Sequence, residues 1–262
     1  MNMSILGSGW LGLPLAKELI NLGHTIHLST RSGDKLNVLS DMPSSTAYLI
    51  DIDNLSNEIQ DFLAAEILII NITSKNKDGF AKLIKQIETS AIKNVLFISS
   101  SSVYRSVNAV VTEDDGMESS DSLLYQIEQM FMSNTYFKTT ILRLSGLIGY
   151  SRHPGYFFKN GKVVQQPDAP VNLIHRDDCI GIITAIIKQA AWGDVFNGCA
   201  ISHPTKREFY SYARDLLNSP HPEYSNESDS DMYKIVSSNK VINQLGYQFI
   251  HPDVMAVTFD PI

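Results

Sequence analysis

Six residues near the start of the chain, Gly7-Ser8-Gly9-Trp10-Leu11-Gly12, follow a short apolar run and open an amphipathic stretch. Glycines at this spacing between a strand and a helix make a phosphate-binding turn. Gly7 permits the tight turn, Gly9 lets the backbone approach a pyrophosphate, and Gly12 lets helix and strand pack closely. The phosphates then meet the free N–H groups and positive end of the helix. A dinucleotide is the expected ligand. Its type is read about 20 residues further on, where an acid would accept a hydrogen bond from an unsubstituted ribose. No acid lies between Glu18 and Asp34. Arg31 stands there instead, between Thr30 and Ser32, a cation able to pair with a 2′-phosphate and lie over the adenine. NADP(H) is therefore expected over NAD(H). Asp51, at the end of a third strand, is placed to meet the adenine amino group.

These residues need a parallel sheet to position them, and the chain has its pattern. Near-continuous apolar runs at 3–6, 25–28, 47–50, 67–71, 95–99 and 139–142 suit strands buried on both faces. Helical patterns at 11–22, 35–39, 80–89 and 122–132 alternate with them, which predicts a doubly wound α/β fold of the Rossmann type. From about Leu144 glycines and prolines punctuate an irregular stretch. A helix is expected at 177–189, a strand at 195–199, a helix at 205–217, a strand at 234–236 and a helix at 239–245 stopped by Gly246. The division expected is 1–150 for the dinucleotide-binding domain and 151–262 for a small α+β substrate lobe, with segments returning to the main sheet. The polar loop at 218–231 reads as a surface segment.

Composition narrows the functional class. The chain has 262 residues, with 21 Lys+Arg against 28 Asp+Glu and a formal charge of −7, so it lacks the basic footprint of a nucleic-acid or acidic-membrane binder. The apolar runs are far below the roughly 20 residues a membrane span needs. Met1 to Leu6 has no charged leader pattern, so a cytoplasmic protein is expected. Cys179 and Cys199 are too few for a disulfide framework. The histidines are dispersed with no HxxxH or CxxC spacing, and no metal site is expected. Asp177 and Asp178 are expected to cap the helix they open, Thr205 and Glu208 to form a capping box, and His175 to be a hydrogen-bonded core or edge residue. A small-molecule substrate and a monomer or homodimer complete the expectation.

The run Val95–Tyr104 places the hydroxyls of Ser99, Ser100, Ser101 and Ser102 at a strand's carboxyl end, where open α/β sheets bind ligands. With the glycine turn, the segments Leu142-Arg143-Leu144-Ser145-Gly146, His175-Arg176-Asp177-Asp178 and Val195-Phe196-Asn197-Gly198, this resembles the extended short-chain dehydrogenase/reductase superfamily of NAD(P)-dependent epimerases and dehydratases. Within it the stretch Arg152–Phe158 is most similar to the atypical YeeZ-like subgroup. The resemblance implies the Rossmann-like fold, a nicotinamide cofactor and an oxidoreductase acting on a hydroxyl or carbonyl of a small, nucleotide-sugar-like substrate.

The resemblance also assigns roles. A Ser/Thr three residues before the Val of a Val-Tyr pair holds the reacting oxygen, which maps onto Ser100, with Ser101 beside the substrate. A Tyr-x-x-x-Lys pair on the next helix supplies acid and base. Here Tyr125 is present but Gln129 replaces the lysine, able to bond a ribose but not to stabilise a phenolate by charge. A phenol without a neighbouring cation is only about 0.1% ionised at neutral pH. Aligning on Glu128-Gln129 instead puts Ser120 and Leu124 at the Tyr and Lys positions, and both alignments stay open. Arg152, His153 and Lys159 fall in the region that lies over substrate in the resembling enzymes. Arg152 is a candidate anion clamp and His153 a candidate proton donor. The alternative to an enzyme is a non-catalytic NADP(H) sensor with a degenerate site.

Overall fold

The computed structural model describes residues 1–55, 59–158, 161–226 and 232–259. Lys159 and residues 227–231 of the expected polar loop lie outside them. Eleven strands are described: β1 (Asn2–Leu6), β2 (Thr25–Thr30), β3 (Ser45–Leu49), β4 (Ile67–Ile70), β5 (Asn94–Ser100), β6 (Ala109–Val111), β7 (Lys138–Leu144), β8 (Gly146–Ile148), β9 (Leu173–His175), β10 (Val195–Gly198) and β11 (Lys234–Val236). The helices are α1 (Gly12–Asn21), α2 (Gly33–Ser40), α3 (Ile59–Phe62), α4 (Lys77–Glu88), α5 (Leu123–Met132), α6 (Arg176–Gln189), α7 (Lys206–Asp215) and α8 (Asn239–Leu245).

Seven strands form one sheet in the order β10-β7-β5-β4-β1-β2-β3. The pairings β1–β2, β2–β3, β1–β4 and β4–β5 are parallel. The chain winds from β1 to β2 and β3 on one side, then returns to β4 on the other, so the order reverses between β1 and β4. That reversal opens a crevice beyond the carboxyl ends of the two strands, where doubly wound sheets bind ligands. The fold is the α/β, Rossmann-like arrangement expected. All four side chains of β4 are buried, as a strand covered on both faces requires.

By contact the chain divides into two compact units. The first is Met1–Val103, Ser119–Arg143 and Ile183–Phe196; the second is Tyr104–Glu118, Leu144–Ile182 and Asn197–Ile262. In the first, α1 buries Gly12, Leu15, Ala16 and Leu19, the stripe a 3.6-residue period presents to a sheet. Phe80, Phe97 and Phe131 bring α4, β5 and α5 together, with ring centroids 5.2–5.9 Å apart. The second unit has its own core of Ile148, Val171, Leu173, Phe209, Val254 and Val257. It also holds two two-stranded parallel sheets, β8–β9 and β6–β11. The region after Leu144, irregular from its glycines and prolines, thus contains three-residue strands too short to show a period. The capping box of Thr205 and Glu208 and the stop at Gly246, with φ +58°, form as expected.

Burial also acts on histidines of the second unit, among them buried His153 and half-buried His203. His153 lies against the rings of Tyr156 and Phe259, and His203 Nδ1 is 3.0 Å from the Val171 carbonyl. Burial holds both below the ordinary imidazole value of 6.5. The unfolded chain therefore binds protons first, and the stability present above about pH 6.5 falls as the pH drops through that value. The midpoint of thermal unfolding should hold from about pH 8 to 7 and fall between about 7 and 5, less steeply in His203→Gln. Parallel profiles for the two proteins would remove His203 from this account.

Candidate dinucleotide and catalytic site

The glycine turn is built as its spacing predicts. Gly7 leaves β1 with φ +107°, a conformation open to glycine, and a Cβ there would lie 2.4 Å from the Asn71 carbonyl oxygen. Gly12 lies against the turn, since an added Cβ would be 1.9 Å from the Gly7 carbonyl oxygen. Around Gly9, by contrast, a Cβ would meet nothing within 4 Å. That open face is where backbone approach to a ligand is possible. No side chain caps the first turn of α1, and no acid lies in it. Leu13 N–H bonds the Gly9 carbonyl at 3.2 Å and Pro14 has no N–H, so the N–H groups before Leu13 are the ones that can face an anion. The turn is pinned by Gly7 N–H to Ser29 Oγ and Ser8 N–H to the Ser29 carbonyl, both 2.9 Å.

Two residues outside the sequence expectation complete this turn. Asn71, one residue past β4, donates its backbone N–H to Leu6 at 2.9 Å and its side-chain amide to Gly7 at 3.4 Å. Lys35, in the first turn of α2, donates its ammonium to the Ser8 carbonyl. The cation sits on the glycine turn 27 residues upstream because β2 and β1 are neighbours. Arg31, immediately past β2, is exposed, and Thr30 is buried. Thr30 Oγ1 accepts from Ser32 N–H at 3.2 Å, and Ser32 Oγ caps α2 by accepting from Lys35 N–H at 3.3 Å. Asp51 is half-buried and caps a short turn, accepting from Asp53 N–H at 3.1 Å. Trp10 is half-buried, while Leu11 is 3% exposed and contributes its side chain to the core.

Beyond β5 the serines divide in role. Ser100 is half-buried and its hydroxyl accepts from Ser102 N–H at 3.1 Å; Ser101 is buried. Ser99 donates its hydroxyl to Glu128 on α5. Glu128, with no exposed surface, takes Arg143 of β7 in a bidentate pair, with Nη2–Oε2 at 2.7 Å and Nε at 3.2 Å from both oxygens. A buried ion pair joins β5, α5 and β7 at the strand ends. Tyr125, one turn before Glu128, has the Arg143 guanidinium 5.8 Å from its ring centroid. Gln129 is exposed, and Leu124 packs on the apolar core. Ser120 is exposed and its carbonyl accepts from Gln126 at 2.8 Å.

The remaining expected residues lie in the second unit. Arg152 is exposed on a turn closed by backbone bonds with Gly149 at 3.0 and 3.4 Å. His153 is only 3% exposed, and its Nδ1 accepts from Gly155 N–H at 3.0 Å, so its ring holds the loop. The carboxylates of Asp177 and Asp178, expected as caps of α6, are taken up elsewhere. Asp177 accepts from the Tyr150 hydroxyl at 2.9 Å. Asp178 accepts from the Tyr247 hydroxyl and the backbone of Ile250 and His251 at 2.7–3.0 Å. A partner 70 residues away outcompetes the local cap, which no local spacing reveals.

A parallel seven-stranded sheet with a glycine turn at its point of reversal is a Rossmann-like α/β fold. The solved UDP-glucuronic acid 4-epimerase of Bacillus cereus, in complex with NAD, superposes with a TM-score of 0.77 at 14% identity, covering 97% of this chain and 95% of that one. A conserved protein of unknown function from Silicibacter pomeroyi superposes at 0.80 with 20% identity, over 97% and 95%. In sequence the chain is similar to Protein YeeZ. Protein YeeZ of Escherichia coli K12 is 29% identical over 273 residues, covering 98% of this chain and 99% of YeeZ. No family model matches the chain. No helix among the described residues is long and apolar enough to cross a membrane.

Proposed function

We propose that the chain binds NADP(H) and works in the cytoplasm, as a monomer or homodimer, as an epimerase/dehydratase-like oxidoreductase. Its substrate would be a small, nucleotide-sugar-like molecule bearing a hydroxyl or carbonyl. The observation that carries the reading is the glycine turn, tight at Gly7 and Gly12 and open at Gly9. When bound, the nicotinamide supplies a hydride donor or acceptor. Arg31 and Lys35 provide the positive charge that favours a 2′-phosphate, and no acid takes the position that would favour a free ribose. Gly7, Ser8, Gly9, Trp10, Leu11 and Gly12 form the pyrophosphate turn, with Thr30, Ser32 and Asp51 on the adenosine side and Gln129 on the nicotinamide ribose.

In this reading Ser100 orients the reacting oxygen, with Ser101 beside it, and Tyr125 is the proton donor. Arg152 is assigned to clamp an anionic group of the substrate, with His153 holding its loop.

Arg31→Ala is the test. Losing charge-assisted bonds worth about 1.5–3 kcal/mol should weaken NADPH by roughly 10- to 100-fold and leave NADH within about twofold, read by cofactor fluorescence. Equal weakening of both would overturn the 2′-phosphate assignment. A panel of aldehydes, ketones and nucleotide sugars then reports turnover. Binding without turnover across it would replace the oxidoreductase with a sensor.

A further inference from the structure

Across the second unit, three ligand-type side chains converge that the local spacing of the sequence hides. His175 ends β9, Asp177 lies in the first turn of α6, and His251 arrives 76 residues after His175 from the segment following α8. We infer that His175, Asp177 and His251 form a binding site for a zinc-type divalent cation, additional to the dinucleotide turn. Each offers one ligand atom, and the three lie within 4.8 Å of one another. Asp177 Oδ2 is 3.5 Å from His175 Nδ1 and 3.7 Å from His251 Nε2. Ligands about 2.0–2.2 Å from a tetrahedral zinc stand roughly 3.3–3.5 Å apart, so small side-chain shifts would close the set. Among the described residues this is the one group of three His, Cys or acidic residues at such spacing.

The surroundings favour that role. His175 is 5% exposed, and its Nδ1 accepts from the Asp177 N–H at 3.3 Å, a weak bond that a metal at Nδ1 would displace. The other side of that ring packs on Gly149, where an added Cβ would lie 2.3 Å from Nε2. Tyr150 donates to both Asp177 oxygens, at 2.9 and 3.1 Å, and orients the carboxylate. Buried Asp178 holds the Ile250 and His251 backbone and so aims the His251 ring, acting as a positioning residue. The Arg176 guanidinium lies 3.7 Å from the centroid of the Tyr150 ring. Asp177 and His251 are 33% and 28% exposed, which leaves a face of the site open for water or an anionic oxygen as a fourth ligand.

The full-length chain, stripped with a chelator and titrated calorimetrically with zinc chloride near neutral pH, should take up one equivalent. His175→Ala and His251→Gln should each weaken zinc at least roughly tenfold. Asp178→Asn, which touches no metal, should weaken it by about 10- to 100-fold, the usual cost of an outer-shell change. His221→Ala removes an exposed His–Asp pair at 2.7 Å and should change nothing. Cobalt in place of zinc should give the intense visible absorption of a four-coordinate site. His251→Gln lies at a part-exposed residue, so its fold, checked by circular dichroism, should match the wild type even if His175→Ala is destabilised. No saturable zinc binding, as for a cluster that shares only a proton, or binding unchanged in a folded His251→Gln protein, would overturn the site. Cofactor affinity is not involved, so failure here leaves the dinucleotide reading intact.

Discussion

Glu128→Ala is expected to cost about 3–5 kcal/mol of folding stability, the range found when one partner of a buried ion pair is removed. The cost comes from desolvation. Arg143 is 2% exposed in the native state, and its guanidinium would lose the carboxylate that compensates its burial while water stays excluded. Ser99 would lose the acceptor of its hydroxyl in the same step. For a chain of this length each kcal/mol shifts the unfolding midpoint by about 2–4 °C, so a fall of roughly 10 °C is expected in a thermal melt. The pair need not stabilise the fold on balance, because well-packed apolar residues can replace such a pair at little cost. Glu128→Leu combined with Arg143→Leu should therefore recover much of the loss. A single-variant change under about 1 kcal/mol would show that the pair is solvated and does not bind β5, α5 and β7 together.

That pair also shows what one sequence conceals. Glu128 and Arg143 are 15 residues apart, and Ser99 is 29 residues from Glu128. Each was visible as a residue, and Glu128 even served as an alternative anchor for aligning the helix, but nothing local pairs them. The glycine turn was legible because its chemistry is local: six contiguous residues set the φ angle, the close approach and the open face. The place of Arg31 just past β2 was legible for the same reason, and the link of Lys35 to Ser8 was not, since it depends on β1 and β2 being neighbours. The long buried strands were readable from apolar runs. The three-residue β6 and β8 were not, although β11, equally short, was. Asp177 and Asp178 were placed on the right helix but given the wrong partners, because tertiary donors 27 to 73 residues away won over the local cap.

The glycine turn itself yields the sharpest contrast, between Gly12→Ala and Gly9→Ala. At Gly12 the new methyl would lie 1.9 Å from a backbone oxygen and 2.9 Å from the Asn71 amide nitrogen. Backbone cannot swing away as a flexible side chain can, so α1 must move off β1. Overpacking of this kind costs about 1–3 kcal/mol, or more where backbone is the obstacle. It also displaces the helix N-terminus that would face the phosphates, so stability and cofactor affinity should fall together. At Gly9 the methyl meets no protein atom within 4 Å. The melting midpoint of Gly9→Ala should therefore stay within about 2 °C of the wild type, since a surface change without such obstacles is worth at most roughly 0.5 kcal/mol. Its NADPH affinity should nevertheless drop by at least tenfold, about 1.4 kcal/mol, because the methyl occupies the space through which a pyrophosphate approaches the backbone. A stable protein that has lost its cofactor separates a ligand-facing glycine from a folding one. Wild-type NADPH affinity in Gly9→Ala would mean that the open face of the turn binds no dinucleotide.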